Sequence, residues 1–200
     1  MNDTVSTDTQ DWAAAWQPVI ACVGQDFAPG LDPPDADPVE RGAIRRYLEP
    51  LEFDCPLHYD PEVARAYGYA DVVLPCTALM TFTLEPAWRP GETIFDSADR
   101  DAQPLRSAVT GVRCPLEPPT TGFFATEYDV EYLRPVVAGD RLARRGAKLL
   151  ACTPKETKVG RGAFLTWETD IVNQRGEVVA HMRSSFFRYN PHPRTSGASA

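Results

Sequence analysis

The sequence predicts an α+β domain: a helical first half, then an antiparallel sheet wrapped around one apolar helix. Three observations carry this. Apolar residues recur at helical spacing up to about residue 66 and at alternate positions after residue 126. The stretch from Ala78 to Leu84 is apolar on nearly every side, as in a helix enclosed by other structure. At 200 residues the chain exceeds a minimal domain and falls short of two, so one domain with insertions is the simplest reading.

Residues 1–10 and 190–200 are polar and turn-rich and are expected to be disordered, with a single domain spanning 11–189 between them. FAPGLDPPDADP reads as a Pro/Asp-rich connector, and a helix is expected at its end. Asp37 can cap it, Pro38 suits its first turn, and Glu40 completes a capping box. Ile44, Tyr47, Leu48 and Leu51 then share one face, and Pro50 should stop the helix near Glu49. The same start signal recurs at Asp60-Pro61-Glu62, opening a short helix that Gly68 can close in the left-handed region. The segment VVLPCTALMTFTLEPAW follows; a helix is expected, although its β-branched threonines leave a strand open.

From 93 to 121 few apolar anchors occur, which predicts a loop or hairpin insertion. The period then changes to two. Tyr128, Val130 and Tyr132 alternate with Glu127, Asp129 and Glu131, and Leu165, Trp167, Thr169 and Ile171 repeat the pattern. RLARRGAKLLAC reads as the strand before Trp167, and NQRG at 173–176 as the turn into EVVAHMRSSFFRY. An antiparallel sheet of at least four strands around one helix is a hot-dog arrangement. Its edge strands invite a second sheet, so a dimer is expected.

Composition narrows the function. Twenty Lys and Arg against 28 Asp and Glu give a net charge of −8 without a basic stripe, which argues against nucleic acid as a partner. Scattered arginines can still meet a small anion. The amino terminus has no basic and apolar leader and no stretch approaches the ~18 apolar residues of a membrane span, so a cytoplasmic protein with no membrane partner is expected. Five scattered cysteines without a C-x-x-C pair predict free thiols and neither zinc nor disulfides. No metal or cofactor is expected.

The stretch LEFDCPLHYD, residues 51–60, concentrates acid/base chemistry between two helices. His58 stands beside Glu52, Asp54 and Asp60, with Pro56 forcing an extended backbone at Cys55. Such a turn can be an active-site loop or simply a solvated one. Asp60 fits a helix cap, Asp140 after Gly139 a turn, His181 cross-strand packing, and Cys55 and Cys76 small buried hydrophobes.

Three segments in order carry a family resemblance: PLHYDPEVARAYGYADVVLPCTALM, EYLRPVVAGDRL and ETDIVNQRGEVVAHMRSSFFRY. The first resembles the segment of MaoC-like enoyl-CoA hydratases that reads roughly Asp-x-Asn-Pro-x-His-x-Asp. The second resembles the strand and Pro-x-x-x-Gly-Asp turn of the same group, and the third its last two strands. From about Pro38 to Tyr189 the chain is similar to the N-terminal MaoC dehydratase subfamily, the fatty-acid-synthase-type dehydratase region, whose fold is a hot dog.

The resemblance implies reversible addition of water to a trans-2-enoyl thioester of coenzyme A or an acyl-carrier protein, as in fatty-acid or steroid side-chain metabolism. It implies His58 as an acid/base and backbone N–H groups at Cys76 or Thr77 as donors to the thioester oxygen. It also implies a homodimer, or a heterodimer with a second MaoC-like hot-dog chain. Position 53, where the family's aspartate stands, is Phe; Cys55 replaces its asparagine and Cys76 its glycine. Asp54 could serve if the turn shifts by one residue, and Glu52 has a further methylene with which to reach. Otherwise the chain is a non-catalytic, acyl-binding partner in a heteromeric hydratase. A hot-dog thioesterase is a further alternative, for which the apolar helix offers only Glu85.

Overall fold

The computed structural model describes residues 12–29, 37–84, 86, 88–102, 104, 105 and 113–192. Residues 1–10 and 193–200, expected to be disordered, and Glu85 lie outside them. The carboxy-terminal half is one antiparallel sheet of β1 (Gly122–Tyr132), β2 (Leu142–Thr157), β3 (Gly160–Asn173) and β4 (Val178–Pro191), in the order β1-β4-β3-β2. β4 thus enters the stretch expected to be a disordered tail. Two tight hairpins join β2 to β3 and β3 to β4, whereas the connection 133–141 must cross from one edge of the sheet to the other.

The alternation read from the sequence sets the faces. Leu165, Trp167 and Ile171 of β3 and Ala180 and Met182 of β4 are buried on the inner face. Bulges at Ala125/Glu127 and twice in β2 reset the phase and bend the sheet around what it covers. Past these bulges Phe187 is fully buried although it lies on the opposite face, because Phe164 and Tyr189 stack on it at 4.5 and 5.1 Å. Tyr189 in turn lies flat over Gly122, where a Cβ would come within 2.5 Å of its ring.

The inner face meets two apolar clusters. One joins Trp16, Val19, Leu149, Leu165 and Trp167 under an amino-terminal segment carrying the short helix α1 (Gln17–Ile20). That segment covers the outer edge of β2: Gly24 N–H donates to the Leu149 carbonyl at 2.7 Å and Phe27 N–H to that of Ala147 at 2.9 Å. The other cluster gathers Ile44 and Leu48 of α2 (Arg41–Leu48), Val72, Leu74, Ala78, Leu79, Val136 and Ile171.

Three details differ from the sequence expectation. α2 opens at Arg41, and no side chain caps it, so the capping box of Asp37 and Glu40 does not form. The reason is tertiary: Val39 N–H donates to the Asp140 carbonyl and Gly139 N–H to the Val39 carbonyl, both at 2.8 Å, which keeps this stretch extended. Leu51 is 59% exposed, because α2 ends at Leu48 and a 3-10 turn, Glu49–Leu51, carries Leu51 off the buried face. The apolar segment is helical, but it is a 3-10 helix, Cys76–Thr83, and not an α-helix; Ala78, Leu79 and Thr83 are buried while Cys76, Thr77 and Thr81 are exposed. Threonines crowd its turns and Thr83 Oγ1 donates back to the Met80 carbonyl at 2.9 Å, which favours the tighter winding.

The expected insertion, 93–121, contains no helix or strand among its described residues. Glu117 anchors its end to the sheet, accepting from Arg188 Nε and Arg113 Nη2 at 3.1 Å each. Among the described residues, no helix is long and apolar enough to cross a membrane.

Candidate active site

LEFDCPLHYD joins α2 to α3 (Pro61–Ala66), as its punctuation predicted. Asp60 is the cap of α3, accepting from Glu62 N–H at 2.8 Å and Val63 N–H at 3.4 Å, and Gly68 follows with φ +89°. Pro56 opens a 3-10 turn, Pro56–His58, in which His58 N–H donates to the Cys55 carbonyl at 3.1 Å.

This turn is fastened to the extended stretch Val72–Leu74 by two reciprocal bonds. Val73 N–H donates to the Leu57 carbonyl at 2.9 Å, and His58 Nδ1 lies 2.6 Å from the Val73 carbonyl. A carbonyl oxygen only accepts, so Nδ1 carries a proton and, in the neutral form of the ring, the lone pair lies on Nε2. The half-buried imidazole is therefore oriented by backbone and left with a free basic nitrogen.

Three residues beyond Val73, at most about 11 Å along the chain, the 3-10 helix begins at Cys76. The first amides of a helix have no acceptor inside it. For Cys76 and Thr77 the preceding carbonyls would be those of Val73 and Leu74, and the Val73 carbonyl is taken by His58. Among the described residues neither amide finds an acceptor, whereas Ala78 N–H donates to the Pro75 carbonyl at 2.9 Å. Two N–H groups are thus available to a negative oxygen. Cys76 is exposed, not the small buried hydrophobe expected of it. Beside it stands Tyr132 at the end of β1, whose phenol pKa is raised by partial burial and further by Cys76 and Tyr47.

The carboxylates are placed differently. Glu52 and Asp54 are exposed, make no hydrogen bond or ion pair among the described residues, and line a surface groove of about 550 Å³ with Leu48, Phe53, Tyr59 and Asp60; His58 does not line that groove. Glu52 is also the only described non-glycine residue with positive φ, at 50°. What faces the imidazole is Phe53, its ring centroid 5.6 Å away at 46°. Tyr59 Oη donates to the Phe53 carbonyl at 2.7 Å and fixes the backbone there. The structure therefore bonds His58 to the stretch that leads into the helix, and neither predicted acid makes a hydrogen bond to it.

Sequence reasoning missed the Val73 carbonyl, for which no residue type gives a signal. It also passed over Tyr132, which the alternation had already put on the inner face. Asp140 is a turn residue but a buried one, 5% exposed, accepting from Val137 N–H and Gln174 Nε2 at 3.0 Å each. His181 does pair across strands, with Asp170 at 2.7 Å. Among the described residues no group of three or more His, Cys, Asp or Glu side chains is placed to hold a metal ion.

A four-stranded antiparallel sheet closed over a short apolar helix, with a histidine turn bonded to the stretch that leads into that helix, defines a hot-dog protein of the MaoC-like dehydratase type. The chain belongs to the FAS1-like dehydratase domain region family, whose model matches residues 21–182. It is 29% identical over 156 residues to the probable enoyl-CoA hydratase alpha subunit of Thermomonospora curvata, covering 78% of this chain and 46% of that one. The chain thus spans about half the length of this curated relative. It is 30% identical over 151 residues to a UPF0336 protein of Streptomyces avermitilis, covering 74% of this chain and 79% of that one. Among solved structures, one chain of the ChsH1-ChsH2 complex from Mycobacterium tuberculosis aligns with a TM-score of 0.58 at 23% identity, covering 90% of this chain and 97% of that one. A MaoC-like dehydratase from Rhodospirillum rubrum aligns with a TM-score of 0.52 at 23% identity, covering 86% and 94%.

Proposed function

We propose that the chain acts as, or within, an enoyl-thioester hydratase/3-hydroxyacyl-thioester dehydratase, adding water reversibly to a trans-2-enoyl thioester of coenzyme A or an acyl-carrier protein. The observation that carries the reading is the bond from His58 Nδ1–H to the Val73 carbonyl, which leaves Nε2 basic a few residues from two free helix amides. Water is a poor nucleophile, so Nε2 takes its proton as the oxygen attacks the β-carbon. Negative charge gathers on the thioester oxygen, where the Cys76 and Thr77 amides receive it. Nε2–H then returns that proton to the α-carbon, completing the addition; in the reverse direction Nε2 removes the α-proton and hands it to the departing hydroxyl, which leaves as water. Asp54, after a one-residue shift of its loop, is the nearest candidate for a second acid/base.

A second reading is favoured by the Phe53 ring beside His58 in place of a carboxylate. In it the chain binds acyl groups in a heteromer whose other MaoC-like chain performs the chemistry. Hydration of crotonyl-CoA, followed by loss of enoyl absorbance, separates the two. The first reading expects turnover by the purified chain, falling about 10²–10⁴-fold in His58→Ala. The second expects turnover only with the partner, unchanged by that substitution. No hydration in either case removes both.

A further inference from the structure

Three of the five cysteines gather at one place that the proposed chemistry does not use. Cys114 lies within the apolar cluster of Trp16, Val19, Leu165 and Trp167, and Cys22 and Cys152 pack against it. They come from three different parts of the chain. Cys22 follows α1, one turn beyond the buried Val19, whose carbonyl accepts from its N–H at 3.0 Å. Cys114 stands late in the 93–121 stretch, where Glu117 accepts from its N–H at 3.1 Å and ties it to Arg188 of β4. Cys152 lies in β2 opposite the buried Leu165.

The amino-terminal segment and the end of the 93–121 stretch thus cover neighbouring parts of the same sheet face, and their thiols meet there. The Cys22 thiol is in side-chain hydrogen-bond contact with that of Cys114. From such contact a modest rotation of the two side chains brings the sulfurs to the bonding distance of about 2 Å. The thiols differ in how a reagent can reach them. Cys114 is 2% exposed, and burial pushes its thiol up; burial also pushes the Cys152 thiol up to about 11. Both stay protonated at neutral pH, and a protonated thiol is a poor nucleophile. Cys22 is only partly covered, so a small reagent reaches the pair through it.

We propose that Cys22 and Cys114 form a reversible disulfide when the chain meets a small disulfide such as oxidised glutathione, fastening the amino-terminal segment to the end of the 93–121 stretch. In the first step the Cys22 sulfur gives up its proton and attacks one sulfur of the reagent. The reagent's S–S bond breaks, and its other half leaves as a thiol carrying that proton. The Cys114 sulfur then attacks Cys22 in the mixed disulfide and expels the second half, which takes the Cys114 proton. Two protein thiols are oxidised and one small disulfide is reduced to two thiols. Contact with Cys22 makes this second step intramolecular, which offsets the protonation of Cys114. The loop closed between residues 22 and 114 contains the 55–58 turn and the Cys76–Thr83 helix, so the link braces the whole segment that carries the candidate site. The inference rests on the packing of the thiols and not on the hydratase reading, and its test reads thiols, not turnover.

Oxidised glutathione added to the full natural chain tests it. The folded chain should lose two of its five titratable thiols and the mass of two hydrogens, and peptide mapping should show one link, between Cys22 and Cys114. Dithiothreitol should restore all five. The linked form should unfold at a temperature about 5 °C or more above that of the reduced one. Cys114→Ser removes the second step and should trap glutathione on Cys22, whereas Cys152→Ser should leave the link unchanged; circular dichroism checks that each variant is folded. If Cys114→Ser does not fold, the peptide map of the natural chain decides alone. A link between any other pair, or between two copies, overturns the proposal. So does a natural chain that keeps all five thiols, one that ends with glutathione still on Cys22, or a linked form that unfolds no later than the reduced one.

Discussion

Two turns flank the same stretch, Val72–Leu74, and do opposite things. On one side the 136–140 turn is built inward: Leu74 N–H donates to the Val136 carbonyl, Ala138 N–H to that of Val72, and the buried Asp140 carboxylate satisfies the turn's own Val137 N–H. On the other side the 55–58 turn is held by one backbone bond and one side chain, His58, and leaves Phe53, Asp54 and Glu52 exposed. A carboxylate in the first turn is consumed by structure; an imidazole in the second is fixed at one nitrogen and free at the other. The difference shows how a fold can hold a group rigidly and still leave it reactive. The rigid turn backs the stretch on which the reactive one rests.

The sharpest way to break this contrast is to exchange the consequences. His58→Ala should cost about 10²–10⁴-fold in hydration but only about 1 kcal/mol in stability, as read by crotonyl-CoA turnover and by urea unfolding. Asp140→Ala should do the reverse in origin, lowering stability by about 2–4 kcal/mol by stranding the Val137 and Gln174 donors, with turnover lost only as the chain unfolds. Restoring a carboxylate five residues before the histidine sharpens the second turn: Phe53→Asp should raise the hydration rate of the isolated chain by about tenfold or more, and no gain would mean that the ring's position does not reach substrate.

Glu52→Gly relieves a left-handed backbone and should stabilise the chain by about 1 kcal/mol; unchanged turnover would also remove Glu52 as an acid. The smallest effect concerns the anchor of the stretch itself. The Arg41 guanidinium holds the Asp71 carboxyl below its ordinary value of 3.8. A lowered folded-state pKa contributes stability that is present above that value and lost as pH falls through the folded pKa. Thermal melts between pH 2 and 6 should therefore show a slightly shallower acid limb in Arg41→Gln than in the natural chain.

Much of this was legible beforehand, for reasons that differ by element. The period-two alternation of β1 and β3 and the turn at 173–176 are local facts that a half-buried sheet enforces, so strand identity and faces followed from the residues. The Asp60-Pro61-Glu62 start signal worked because a cap is satisfied within its own turn. The signal of the same type at Asp37 did not, because Val39 is claimed by the 136–140 turn a hundred residues away, and that competition leaves no trace in the local pattern. His58 was found by its residue type and motif; the bond that gives it a defined tautomer involves a carbonyl, which every residue possesses.

By itself the sequence determined which segments alternate, where the chain turns, and that an imidazole stands among acids, since these depend on neighbours along the chain. Only the tertiary structure decided which of them meet. It put Phe53 against His58, turned Asp54 and Glu52 to an outer groove, and lined up Glu131, His181, Asp170 and Arg145 across four strands. Sheet register and loop crossing bring distant residues to one place, and no local spacing encodes that.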